Sequence, residues 1–233
     1  MLPRVFCWSK FGTEAGEQAS RIIERKERER RFNNGDFLWG IGNSIRPSLI
    51  RLLEECSKPE VLFTPMLSRP SGVDVSPPAV VLWREAVGID GNPFEFPRFT
   101  AVTSRKPGGS GPGKHFALVC RSDRSLEREA PSPLTFNAGS VTNLLTGNSV
   151  GSSQVTSVVE YSAGQRVGAR DYTVAFRARL EYPYLVTLRS PMLLDEQDRR
   201  MLDDPSDSVD ELAGRLLDLR RSATEGGHLM TLF

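Results

Sequence analysis

The chain of 233 residues carries 30 basic and 29 acidic side chains, and its net charge of +1 excludes a strongly basic sheath that would hold nucleic acid by long-range attraction. Its three cysteines, Cys7, Cys56 and Cys120, lack the spacing with histidine that structural zinc requires, and no apolar run reaches the roughly 20 residues of a membrane span. We therefore expect one soluble cytoplasmic domain, 1–233, with reduced cysteines, no metal or cofactor, and no membrane partner.

The first stretch predicts a strand followed by a helix. "RVFCWSKFG" (4–12) is rich in β-favouring residues and ends in glycine, which indicates a strand and its exit turn. Thr13 is placed to cap a helix whose apolar stripe includes Ala19 and Ile22. The charged end of this helix, "RIIERKERERR", is interpreted as solvated, and a phosphate-facing strip is the alternative.

The next stretch predicts a turn, a short strand and a second helix. "NNGD" is turn chemistry, because Asn and Gly tolerate positive φ, and "FLWGIG" is then typical of a short strand. Ser44 is placed to cap the second helix, and Pro47 suits its first turn.

Short β-like runs follow at regular intervals through the rest of the chain. They are "EVLFTPM", "AVVLWREA", "RFTAVTSR", "HFALVCRS", "VTSVVEYS", "DYTVAFRARLEY" and "YLVTLRS". Near the end, "SVDELAGRLLDLRRS" carries a capping box of Ser208 and Glu211 and predicts a helix. We expect an α+β fold with amino-terminal helices, a carboxyl-terminal helix, and a mostly antiparallel sheet or small β-barrel.

Two segments are predicted as loops. "KPGGSGPGK" (106–114) joins two strand candidates but lacks the pattern of a phosphate-binding P-loop. The segment 128–154 has few strand signals, and a loop of that length is usually functional or disordered. Phosphate contacts are predicted beside the first loop, although a plain exposed hairpin explains them equally, at Ser104, Arg105, Lys106 and Lys114.

Polar residues set among aromatic ones are the strongest candidates for a site. If the ends of the first two strands adjoin, two indoles face one another across hydrogen-bonding groups, and a planar base would stack there with roughly 1–3 kcal/mol. The alternative is that both indoles are core anchors and Asp36 is a turn residue. The residues proposed to contact a base are Trp8, Ser9, Trp39, Ser44, Asn143, Asn148 and Gln154.

The order of these elements resembles the PUA-like superfamily, especially its EVE and YTH domains. The resemblance covers residues 4–120 and rests on "CWSK", "FLWGIGNS" and the train of strands. It implies a modified base flipped into an aromatic-walled pocket. "VFCWSKFG", "FLWGIGNS" and "NSVGSSQVTSVVEY" are also similar to short bacterial phage-defence DNA glycosylases that excise glucosylated hydroxymethylcytosine.

These resemblances imply binding of DNA that carries a modified base, and excision of that base by a monofunctional glycosylase in antiviral defence. Excision requires a carboxylate or amide near the anomeric carbon, for which Asp36 is the first choice and Asn43 the second. Lys10 is a further choice, as a nucleophile towards the sugar if burial lowers its pKa, and an ordinary solvated lysine is the alternative. The alternatives are a non-catalytic reader of DNA or RNA, and an accessory module that binds a protein or small molecule.

Overall fold

The structure is a computed structural model. It describes residues 1–12, 18–41, 45–66, 79–96, 100–104, 115–127, 133–151, 156–162 and 169–193, and for 79–82, 84, 100–104 and 191–193 it describes the backbone only. The predicted carboxyl-terminal helix, the Thr13 and Ser44 caps, and the glycine-rich segment 106–114 lie outside the described residues.

The described chain forms two α-helices, α1 (Ala19–Phe32) and α2 (Arg46–Glu55), and eleven strands. The strands are β1 (Val5–Phe11), β2 (Asp36–Ile41), β3 (Glu60–Pro65), β4 (Ala79–Gly88), β5 (Thr100–Ser104), β6 (His115–Arg121), β7 (Thr135–Asn137), β8 (Val141–Asn143), β9 (Thr156–Tyr161), β10 (Asp171–Thr173) and β11 (Phe176–Leu193). None of the described helices is long and apolar enough to cross a membrane.

Most described strands form one sheet, in which seven strands follow the order β2-β6-β11-β3-β1-β9-β8. In addition, β4 pairs with β11, and β5 pairs with β4. β1 and β3 pair in parallel, whereas the other pairings are antiparallel. The predicted α+β class with a mostly antiparallel sheet is therefore confirmed. The sheet is open rather than a closed barrel, since β2 and β8 end the described order without pairing to each other.

β11 is the longest strand and holds the sheet together. It pairs with β3 and β4 along one edge and β6 along the other. The sequence patterns "DYTVAFRARLEY" and "YLVTLRS" suggested two separate strands, but the chain runs through Pro183 as one. A register shift between Leu180 and Leu185 places Pro183 outside the ladder with β6. Proline has no backbone N–H to donate, so at this position it does not leave a β6 carbonyl without its donor.

Hydrophobic side chains cover both faces of the central strands. Along β1, Val5, Cys7 and Phe11 face the larger core with α2, whereas Phe6 and Trp8 face the small sheet of β7 and β10. All seven residues of β1 are buried as a result. The segment 128–154 is not the structureless loop that we expected, because its described part carries β7, a 3-10 turn (Ala138–Ser140) and β8.

Three charged side chains at the end of α1 are buried, Lys26, Glu27 and Glu29, and the prediction of a solvated end is wrong for them. Glu29 Oε1 accepts the Leu38 backbone N–H at 2.7 Å. Lys26 Nζ donates to the Leu38 carbonyl and, at 2.6 Å, to Glu29 Oε2. Because β2 is an edge strand, α1 thereby satisfies backbone groups that another strand would otherwise pair.

Candidate functional site

The two indoles proposed to face one another lie in different hydrophobic clusters. Trp8 is 1% exposed and packs edge-on against Phe136 and Tyr172. Trp39 is 6% exposed and contacts Phe63 and Phe11 in the larger core. The prediction of one slot between the two indoles is therefore wrong, and both rings are core anchors, as the alternative held.

A chain of hydrogen bonds links the end of β1 to two other strands on the face of the larger core. Trp39 Nε1 donates to Ser9 Oγ at 2.9 Å, and Ser9 Oγ lies 2.9 Å from Thr156 Oγ1. Ser9 and Thr156 are opposite one another in the pairing of β1 with β9. The indole and both hydroxyls thus satisfy one another, as buried polar groups must.

Lys10 and Trp8 form the corresponding group on the opposite face. Trp8 Nε1 donates to Thr64 Oγ1 at 2.9 Å. Lys10 is 2% exposed, and its Nζ lies 4.8 Å from the Trp8 ring centroid and 5.9 Å from that of Tyr172. The ammonium also donates to the carbonyl of Gly151, which lies directly after the turn that follows β8.

We call Lys10, Thr64 and the rings of Trp8 and Tyr172 the β1 polar site, because they lie on one face of β1. Its chemistry is that of one hydroxyl and one ammonium beside two aromatic rings. A lysine ammonium offers three donors and no acceptor, so it favours carbonyl, ring-nitrogen or phosphate acceptors. The aromatic rings beside it add cation–π attraction, which is stronger where water is excluded.

Asp36 lies away from this site. It is three residues before Trp39 on β2, and successive strand residues alternate between faces, so the Asp36 side chain leaves the sheet on the face opposite to the indole. Arg121 Nη1 holds its carboxylate at 3.0 Å. Burial raises the pKa of Asp36, and the guanidinium of Arg121 opposes that shift. The face separates Asp36 from Trp39, and β2 lies four strands from β1 in the sheet order, which separates Asp36 from Lys10 and Trp8.

The two asparagines predicted to contact a base occur in one turn. Asn143 Oδ1 accepts the backbone N–H groups of Leu145 and Thr146, and the Asn143 N–H donates to the carbonyl of Asn148. These bonds shape the turn that leads to Gly151, and hence to the carbonyl that Lys10 contacts. No finding tests whether either amide contacts a base.

The other predicted site residues cannot be compared with the structure. Ser104 ends β5, for which only the backbone is described. The remaining ones lie outside the described residues: Asn43, Ser44, Arg105, Lys106, Lys114 and Gln154.

Sequence reasoning missed two members of the β1 polar site, namely Thr64 and Tyr172. Each lies on a strand that the sequence predicted, but nothing local indicates that β3 and β10 meet at the end of β1. One available signal was overlooked. The alternation of faces along β1 separates Trp8 from Ser9, which already argues against a shared pocket for both.

No protein-family model matches the sequence, and no curated protein or solved structure matches it. The PUA-like and glycosylase resemblances therefore stay predictions.

Proposed function

We propose that this protein binds nucleic acid that carries a modified base, and that it reads the flipped base at the β1 polar site without excising it. The observation that carries the proposal is the burial of the Lys10 ammonium between Trp8 and Tyr172. Desolvating a charge is unfavourable by several kcal/mol, and an apolar side chain would fill the same space without that penalty. Buried charges of this kind are concentrated at functional sites.

One partner of Lys10, the Gly151 carbonyl, indicates what the ammonium would recognise. The backbone carbonyl of Gly151 is chemically close to the carbonyl oxygen of a pyrimidine or guanine. In the proposed complex a base carbonyl replaces that of Gly151, and the segment that carries Gly151 moves aside. Extruding a base is easier when its stacking is already weakened, which favours bulky or modified bases.

The absence of Asp36 from the site favours reading over excision. Breaking an N-glycosidic bond develops positive charge on the sugar, which a nearby carboxylate stabilises. Asp36 was the first choice for that group, and it is instead held by Arg121 beyond the opposite face of β2.

Equilibrium binding tests the proposal directly. Labelled duplexes with one central cytosine, hydroxymethylcytosine or glucosylated hydroxymethylcytosine are titrated by fluorescence anisotropy. We expect one of the modified duplexes to bind at least about tenfold more tightly than the cytosine duplex, a difference of about 1.4 kcal/mol. Lys10→Met should remove this preference. Equal affinity of the unaltered protein for all three duplexes would contradict the proposal.

The matched control is Arg4→Met, which removes an exposed cation near the start of β1 that pairs with Glu160 at 2.8 Å. We expect this variant to keep the preference for the modified base. Trp8→Phe is a second test, because it keeps a ring beside Lys10 but removes the donor to Thr64. It should weaken the preference, and circular dichroism shows whether each variant is folded.

Excision by Lys10 is a second candidate, favoured by the burial of its amine. In its neutral form the amine would attack C1′ of the sugar, and the C1′–N bond would break with its electron pair going to the base, which takes up a proton from the attacking amine. The C1′–O4′ bond would then open with its electron pair going to O4′, which takes up the second amine proton, and C1′ would be left doubly bonded to the Lys10 nitrogen. The resulting imine is reduced by borohydride to a covalent protein–DNA adduct. We expect such an adduct, and free base, only if this candidate is correct. Asp36→Asn should leave both unchanged, whereas Lys10→Met should abolish them.

A further inference from the structure

Tyr182 presents an exposed aromatic ring that is nevertheless fixed in place. Its side chain is 64% exposed, and its hydroxyl donates to Asp90 Oδ2. The ring of Tyr184 meets it edge-on, with centroids 5.9 Å apart and planes at 84°. An exposed tyrosine normally samples several rotamers, so these contacts hold the ring while leaving surface open to solvent.

The turn after β4 holds the carboxylate that fixes this ring. Asp90 accepts the backbone N–H of Asn92 at 3.0 Å and its side-chain amide at 3.1 Å. The hydrogen bonds that Asp90 accepts lower its pKa and favour the ionised carboxylate, and the bond from Tyr182 has the largest effect. The Asp90 carboxylate also packs directly on Gly88, where a Cβ would lie 2.5 Å from Asp90 Oδ1.

A cation reaches the same turn from α2. Arg46 Nη2 lies 3.4 Å from the carbonyl of Ile89, the residue next to Asp90. Arg46 is exposed and begins α2. Arg46 and Tyr182 thus contact adjacent residues of one turn, Ile89 and Asp90. A guanidinium and an exposed ring are the usual combination for binding a single strand, in which bases stack and phosphates pair with cations.

The backbone at Tyr184 is strained. Its φ of 65° is in the left-handed region, which is unfavourable for a bulky residue. Such conformations are maintained only where the surrounding structure enforces them, and they are concentrated at binding sites. Here the strained residue supplies the second ring of the aromatic pair.

We propose that Tyr182 is a stacking platform for an unpaired nucleobase, and that Arg46 contacts a phosphate of the same strand. The platform recognises any base, because every base has a flat aromatic face. It does not depend on the β1 polar site or on base modification. It therefore adds a general single-strand contact to a protein whose formal charge provides little general attraction.

Unmodified single-stranded oligonucleotides test this platform. With a labelled 12-mer of mixed sequence at low salt, we expect Tyr182→Ala to weaken binding by roughly 5- to 150-fold. Tyr182→Phe keeps the stacking face and should weaken binding much less. Leu145→Ala is the matched control, because Leu145 is also an exposed apolar residue, at 50%, but lies in the turn after β8. It should bind as the unaltered protein does.

A fluorescent variant reports whether a base contacts the ring. The native tryptophans, Trp8, Trp39 and Trp83, are all buried, so Tyr182→Trp adds one exposed indole. We expect the oligonucleotide to quench the emission of this variant more strongly than that of the unaltered protein. The inference would be overturned if Tyr182→Ala bound the oligonucleotide as tightly as the unaltered protein, or if the oligonucleotide did not quench Tyr182→Trp more strongly. Either result would favour a protein partner for the Tyr182 ring. Because the strand is unmodified, neither result bears on the reading of modified bases.

Discussion

Lys26 and Glu29 show how two charges become part of a hydrophobic core. Burial lowers the pKa of Lys26 and raises that of Glu29, so each charge depends on the other to stay ionised. Both also bind the backbone of Leu38 on the edge strand β2. Neither charge can therefore be removed without leaving its partner buried and uncompensated.

Lys26→Met should lower the free energy of unfolding by about 3–5 kcal/mol, because the Glu29 carboxylate and the Leu38 carbonyl lose their donor. Urea denaturation at neutral pH measures this loss. The control is Arg4→Met, because the Arg4 side chain is 79% exposed and pairs with Glu160, which is itself partly exposed. It should change the stability by less than about 1 kcal/mol. Similar losses of stability in the two variants would mean that the buried pair contributes no more than an exposed ion pair.

Glu27 makes stability depend on acid pH. Burial opposes its ionisation, but donors from Arg30, the Leu126 backbone and Arg31 more than compensate and lower the pKa to about 2. In the unfolded chain the pKa is near its ordinary value of 4.5. Since the folded pKa is the lower one, the contribution is complete above pH 4.5 and is lost as the pH falls through 2.

We therefore expect Glu27→Gln to be less stable than the unaltered protein by roughly 3 kcal/mol at pH 7. The difference should shrink steadily between pH 4.5 and 2. Denaturation curves recorded at several pH values measure it. If the difference in stability between the two proteins stayed constant down to pH 2, the charge of the Glu27 carboxylate would not be the source of the stabilisation.

At the scale of elements, the turn between α1 and β2 positions both the buried pair and Trp39. Asn34 and Gly35 have φ of 54° and 105°, which confirms the turn predicted from "NNGD". The Gly35 N–H donates to the Arg30 carbonyl at 2.8 Å, and its carbonyl accepts from Ser122 at 2.9 Å. The turn thus ends the helix, starts the strand and contacts the end of β6.

Gly35→Ala should destabilise the protein by about 1–2 kcal/mol, because a side chain at positive φ meets its own backbone. Its Cβ would also lie 3.4 Å from the Ser122 carbonyl, which is in ordinary contact and adds no clash. Thermal unfolding measures the loss. Ser57→Ala, at an exposed position just after α2, is a suitable control and should unfold at nearly the original temperature.

At the scale of the whole molecule, arginines on or next to the sheet contact nearby carboxylates. Arg4 pairs with Glu160, Arg121 with Asp36, and Arg179 with Asp123 at 3.2 Å. Such pairs contribute little stability, but each reduces the positive potential of the surface. Any nucleic-acid contact within the described residues must therefore be local.

We expect binding to duplex DNA to depend only weakly on salt. Each phosphate contact contributes a slope of about −0.9 to the plot of log affinity against log salt concentration, so a slope no steeper than about −3 is expected. Anisotropy titrations between about 50 and 200 mM salt measure it. A slope of about −6 would mean that residues beyond those described, such as Arg105, Lys106 and Lys114, form a basic face.

The sequence by itself determined the elements that depend on neighbours along the chain. Pro47 in the first turn of α2, the Asn-Gly turn before β2 and the apolar runs of the strands act locally, so their patterns were sufficient. The tertiary structure alone decided the burial of Lys26 and Glu29, because alternating charges look the same on a solvated helix. It also decided which hydroxyls meet the indoles. Ser9 and Trp39 are 30 residues apart, and Trp8 and Thr64 are 56 apart, so only the pairing of strands brings them together.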